Sequence, residues 1–102
     1  MYRARDRVEH RRWLDRIQSA ADALDVGTET RSTAESLFLD DVPDEERSKR
    51  AAAAAALYAA TLIESEQRSQ TAVAEAMGAS RLSVQSRWKG LLRANGFDPP
   101  GW

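Results

Sequence analysis

Apolar positions recur at helical spacing along this chain, and nowhere do they alternate as a half-buried strand would. Leu14, Ile17, Ala21 and Leu24 repeat at i, i+3, i+7 and i+10, with Trp13 and Ala20 widening the stripe. They predict a first helix from about Asp6 to Val26, closed by Gly27 as its C′ residue. Ala34, Leu37, Phe38 and Val42 mark a second helix, capped from the polar run Thr28 to Ser32. It stops near Pro43, because the residue before a proline avoids the α region. Pro43 to Arg47 reads as an acidic connection. The stretch Arg50 to Ile63, RAAAAAALYAATLI, is apolar nearly all the way round. Alanine is the best helix former, and a helix with no polar face is buried on every side. This third helix is therefore the expected central pillar, capped by Ser48 or, as the competing start, by Asp44.

Beyond a polar link, Ser69 is the expected N-cap of a short helix from Gln70 to Met77. Gly78 breaks that helix and Ser80 caps the last one, which carries Val84, Trp88, Leu91 and Leu92 on one face and ends at Asn95-Gly96. The expected organisation is one all-α domain of five helices over residues 1–96 and a tail, FDPPGW, over 97–102. Phe97 and Trp102 either fold back onto the domain or stay free.

Composition narrows the chemistry. The chain has 102 residues, which suits one modest core, and a net charge of -1. It contains no cysteine, which excludes disulfides, thiolate metal sites and cysteine nucleophiles. The single histidine, His10, is expected to be an exposed helix residue. With no Gly-rich phosphate loop and no metal-ligand cluster, neither an enzyme nor a cofactor is expected. No apolar run has the length of a membrane span, and the opening MYRARDRVEHRR lacks the apolar core of a signal peptide, so an intracellular protein is expected.

Charge is unevenly distributed. Asp25 to Glu46 carries Asp25, Glu29, Glu35, Asp40, Asp41, Asp44, Glu45 and Glu46 against Arg31 alone, whereas Arg81 to Gly96 carries Arg81, Arg87, Lys89 and Arg93 with no acid. Such asymmetry is expected either of a nucleic-acid surface or of solvated helix faces.

The segment Gln70 to Trp88, QTAVAEAMGASRLSVQSRW, fits a helix-turn-helix. Ala74 is small where two helices would cross, Gly78 permits positive φ in the turn, and Val84 buries the second helix against Val73 and Met77 of the first. The same spacing also serves pure packing units. If the pair binds DNA, the outward positions of the second helix are Arg81, Leu82, Gln85, Ser86, Lys89 and Arg93. Arg81 suits guanine, Gln85 adenine and Leu82 a thymine methyl, while Arg87, Lys89 and Arg93 suit phosphates. Ser69, Gln70 and Ser80 are placed to donate to the DNA backbone near the helix N-termini. Trp88 shares a face with Val84 and Leu91 and is expected in the core.

The pieces RSKRAAAAAALYAA (Arg47 to Ala60) and SQTAVAEAMGASRLSVQSRWKGLL (Ser69 to Leu92) resemble a single cyclin box of the archaeal transcription factor B and eukaryotic transcription factor IIB family. Arg87-Trp88-Lys89 is similar to that family's Arg-aromatic-Lys ending, with Trp where Tyr is usual. The resemblance implies five helices packed around the third. It implies DNA contact beside a TATA element, with TATA-binding protein and RNA polymerase as partners, and a cytoplasmic, nucleoid-associated location. The family's groove-reading residues fall on Leu82 and Gln85, the latter commonly Arg. The family also has an N-terminal zinc ribbon and a second box, for which this sequence has neither the cysteines nor the room. Two functions follow: a regulator that reads promoter DNA, or a cyclin-box adaptor that binds transcription machinery or forms a homodimer.

Overall fold

The structure, a computed structural model, describes residues 7–99. It is all-helical: α1 (Arg11–Leu24), α2 (Thr28–Asp40), α3 (Glu46–Ile63), α4 (Gln70–Met77) and α5 (Arg81–Ala94). The pillar is α3. From Ala52 to Thr61 every residue is buried, and each of the other four helices packs on it. Alanine methyls let these backbones approach closely, and the bulk of the core is supplied from outside by Ile17, Phe38, Val73, Val84 and Trp88. Val42 lies against this core beyond α2.

Several helix ends differ from their sequence expectations. The first helix does not run unbroken from the Asp6 region to Val26. A helical turn at residues 7–9 is interrupted at His10, which becomes the N-cap of α1. His10 is half-buried rather than exposed, its ring edge-on to Phe38 at 6.2 Å. Gly27 does not close α1. Asp25 takes the left-handed conformation there (φ 57°), and Val26 N–H donates to Ala21 O at 3.2 Å. Aspartate tolerates that conformation, which frees Val26 to turn inward and be buried. Gly27 is instead the N-cap of α2, ahead of the polar run. Nor does Ser48 or Asp44 cap α3: Glu45 holds the N-cap position and Ser48 lies within the first turn. Ser69 and Ser80 cap as expected, accepting from Ala72 N–H at 3.0 Å and Ser83 N–H at 3.1 Å. Past α5, Phe97 N–H donates to Leu92 O at 2.8 Å, and its half-exposed ring borders a shallow groove with Leu62 and Ile63. Trp102 lies outside the described residues.

Where local capping is missing, distant side chains supply it. The Glu66 carboxylate accepts from Gly27 N–H at 2.9 Å and from the Thr30 hydroxyl at 2.5 Å, placing an anion at the N-terminus of α2. The Arg68 guanidinium donates to Leu24 O and Asp25 O at the C-terminus of α1. The Thr30 hydroxyl first, then the Gly27 amide, hold the Glu66 carboxyl below its ordinary value. A group whose folded pKa is depressed stabilises the fold above its unfolded value and loses that contribution as pH falls through the folded one. The stability advantage of the native protein over Glu66→Gln is therefore expected to shrink as urea midpoints are taken from about pH 6 to about pH 3.

Candidate nucleic-acid interface

The helices α4 and α5 are joined by Gly78 to Ser80 alone. Val73, Ala74 and Met77 of α4 and Val84 of α5 are all buried, as their spacing predicts. Gly78 sits at φ 70°, and a Cβ there would lie 3.2 Å from Arg50 Nη1. That guanidinium donates to Met77 O at 3.0 Å, so a cation from α3 closes the C-terminus of α4. Sequence reasoning did not find Arg50. The only local signal is its position as the last charge before the alanine run.

The exposed side of α5 divides into stripes. Leu82, Ser86, Lys89 and Arg93 follow i, i+4, i+7 and i+11 and share one line along the helix. Leu82 is 71% exposed, a position that core packing does not explain. The Lys89 ammonium lies 5.5 Å from the Trp88 ring centroid, which leaves it half-buried. Arg81 and Gln85 lie one turn apart on the side toward α4. Arg81 Nη1 donates to Gln70 Oε1 at 3.3 Å, and Gln85 is half-buried. Arg87 stands apart from these residues. It borders a cleft with Asp41, Ala52 and Gly90 on the opposite flank of α5, and Ser86 reaches the rim of the same cleft. The structure thus brings Gln70, Arg81, Leu82, Gln85, Lys89 and Arg93 onto one side of the helix pair and sets Arg87 away from them. Ser69 and Ser80 are exposed at the two N-termini, their oxygens occupied as caps.

Cations without a carboxylate within 4.0 Å occur on this side and, among the described residues, also at Arg11, Arg16, Arg50 and Arg68. Arg7, Arg12, Arg31, Arg47 and Lys49 each meet a carboxylate within 4.0 Å, whereas among the described residues Arg81, Lys89 and Arg93 do not. Between Ser69 and Ala94 the single acid is Glu75, against four cations. A family model, the transcription factor TFIIB repeat, matches residues 9–94. The chain belongs to the TFIIB repeat family. The repeat has the cyclin-like all-α fold, which agrees with the five helices around α3. The family is one of transcription factors, and no curated protein sequence matches this chain significantly. No described helix of the repeat is long and apolar enough to cross a membrane.

Within the repeat, Gly90 is an exposed glycine in mid-helix, and a Cβ there would meet nothing within 4 Å. Gly90→Ala is therefore expected to stabilise the domain by about 0.5–1 kcal/mol, read as a higher unfolding temperature.

Proposed function

We propose that this repeat regulates transcription by binding double-stranded promoter DNA, with α4 and α5 acting as a helix-turn-helix and α5 in the major groove. The observation that carries the reading is the group Arg81, Lys89 and Arg93 on α5, which meet no carboxylate among the described residues, beside an exposed Leu82. Such a group is costly to no neighbour in the fold and complements a phosphate-lined groove. In this arrangement Arg81 reads guanine, Gln85 adenine and Leu82 a thymine methyl, near the N-terminal end of α5. Lys89 and Arg93 take phosphates. Ser69, Gln70 and Ser80 approach the backbone at the two helix N-termini. Arg87, on the far flank beside Asp41, reads no base and is kept for phosphates at the edge of the footprint. Binding beside a TATA element, with TATA-binding protein and RNA polymerase as partners, and a nucleoid location in the cytoplasm belong to the same proposal.

Fluorescence anisotropy over a salt series tests it, using a duplex with a TATA element and its flanks against a scrambled duplex. Preferential binding that weakens steeply with salt is the expected result. Lys89→Ala is expected to lower affinity for both duplexes alike and to reduce the log–log salt slope by about 1. No binding at low salt, with or without TATA-binding protein, would replace this reading with that of a cyclin-box adaptor for proteins. Two acids of the region that would face a basic partner, Glu35 and Glu46, are already tied to Arg7 and Gln18 and to Arg12 and Lys49.

A further inference from the structure

Three arginines converge on one indole. The guanidinium carbons of Arg12, Arg16 and Arg50 lie 4.9, 5.5 and 5.5 Å from the centroid of the Trp13 ring. Trp13 itself is buried, but Arg12 and Arg16 are exposed, so their heads cover the indole while facing solvent. Of the three arginines, only Arg12 meets a carboxylate, that of Glu46, which accepts from Trp13 Nε1 at 3.3 Å, Arg12 Nη1 at 3.3 Å and Lys49 Nζ at 3.2 Å. The acids of α1 serve the opposite flank: Asp22 pairs with Arg31, and Asp15 borders a hollow with Arg7, Arg11 and Glu35. Among the described residues, the patch around Trp13 thus gathers Arg12 and Arg16 of α1 and Lys49 and Arg50 of α3 beside the carboxylate of Glu46.

This patch adjoins the helix pair. Arg50 connects them, since the same guanidinium that approaches Trp13 donates to Met77 O and lies against Gly78 in the turn that leads into α5. An arginine stacked on a ring has already lost much of its rotamer freedom, while its in-plane N–H donors stay available for the oxygens of a phosphate. Cations that repel one another across a single ring gain most from an anion placed between them.

We infer that Arg12 and Arg16, positioned by Trp13 and spaced from the turn by Arg50, form a second phosphate-binding surface that grips the DNA backbone beside the groove occupied by α5. The inference rests on the DNA-binding reading above and extends its footprint onto α1. The contact carries no base preference. It adds affinity equally to every sequence and steepens the dependence on salt.

The test is the salt series on the full chain with the TATA-containing and scrambled duplexes. Arg12→Gln with Arg16→Gln is expected to weaken binding to both duplexes by the same factor and to lower the magnitude of the salt slope by about 2, one for each phosphate lost. Arg12→Lys with Arg16→Lys is expected to restore most of the slope, which a purely structural role in covering Trp13 would not do. Glu46→Gln, which removes the competing carboxylate and keeps an acceptor for Trp13, is expected to tighten binding. Arg47→Gln, a loss of one positive charge on a side chain 87% exposed and paired with Glu45, leaves the slope unchanged. Native binding whose slope falls with Lys89→Ala but not with the Arg12 and Arg16 changes would overturn this inference and leave the DNA reading standing. A native protein that binds neither duplex would overturn both.

Discussion

Trp88→Ala is expected to lower the free energy of unfolding by about 3–5 kcal/mol, the range for truncating a large aromatic in a packed core. Trp88 has no exposed surface and meets Tyr58 of the pillar edge-on, with centroids 5.3 Å apart and planes at 82°. It is the largest side chain that α5 inserts against α3, and the alanines around Tyr58 have no bulk with which to fill the hole. A domain of this size is stable by roughly 5–15 kcal/mol, so the variant would stand near the unfolding threshold. Urea titration followed by circular dichroism measures the shift in midpoint. Trp88→Phe, which keeps an aromatic edge toward Tyr58, is expected to lose much less. A loss below about 1 kcal/mol for the alanine variant would show that α5 is not wedged to the pillar through this ring.

Arg81→Ala and Gln85→Ala are each expected to remove about 1–3 kcal/mol of discrimination at one base pair, while binding to scrambled DNA changes little in the case of Gln85. Both side chains lie on the α4 side of α5, near its N-terminal end. Arg81 is already steadied by Gln70, so part of the entropy of orienting it is lost before DNA arrives. Competition with single-base variants of the selected site distinguishes the two residues: the guanine preference goes with Arg81 and the adenine preference with Gln85. Lys89→Ala offers the contrast, since a phosphate contact weakens all sequences together. Footprints and base preferences that survive both substitutions would remove the groove-reading role from α5.

Much of the helix pair was readable from residue order because its determinants are local. A hydroxyl at Ser69 or Ser80 reaches an amide three residues on, and Gly78 and Gly96 supply the positive φ that the chain needs there. The errors fall where a local rule met a distant competitor. Gly27 looked like a helix stop, but Asp25 took that place, and Glu66, 39 residues away, bound the glycine amide as the start of α2. Ser48 looked like a cap, yet the chain entered α3 earlier, at Glu46, whose carboxylate gathers Arg12, Lys49 and Trp13. Helical period and residue type give Arg81, Leu82, Gln85, Ser86, Lys89 and Arg93 as the outward positions of α5. Period alone did not show that Arg87 would face Asp41 across a cleft while Lys89 lies back on Trp88.

By itself the sequence determined which segments are helical, which faces are apolar and that the alanine run lies at the centre, because propensity, capping and periodicity act over one or two turns. Only the tertiary structure decided which charges are neutralised. Apart from local pairs such as Glu46 with Lys49, ion pairing depends on what a fold brings within about 4 Å, and residue order does not give that distance. It joins Arg7 to Glu35 and Arg31 to Asp22, leaves Arg81, Lys89 and Arg93 without carboxylates among the described residues, and assembles Arg12, Arg16 and Arg50 around Trp13 from two helices that the sequence keeps far apart.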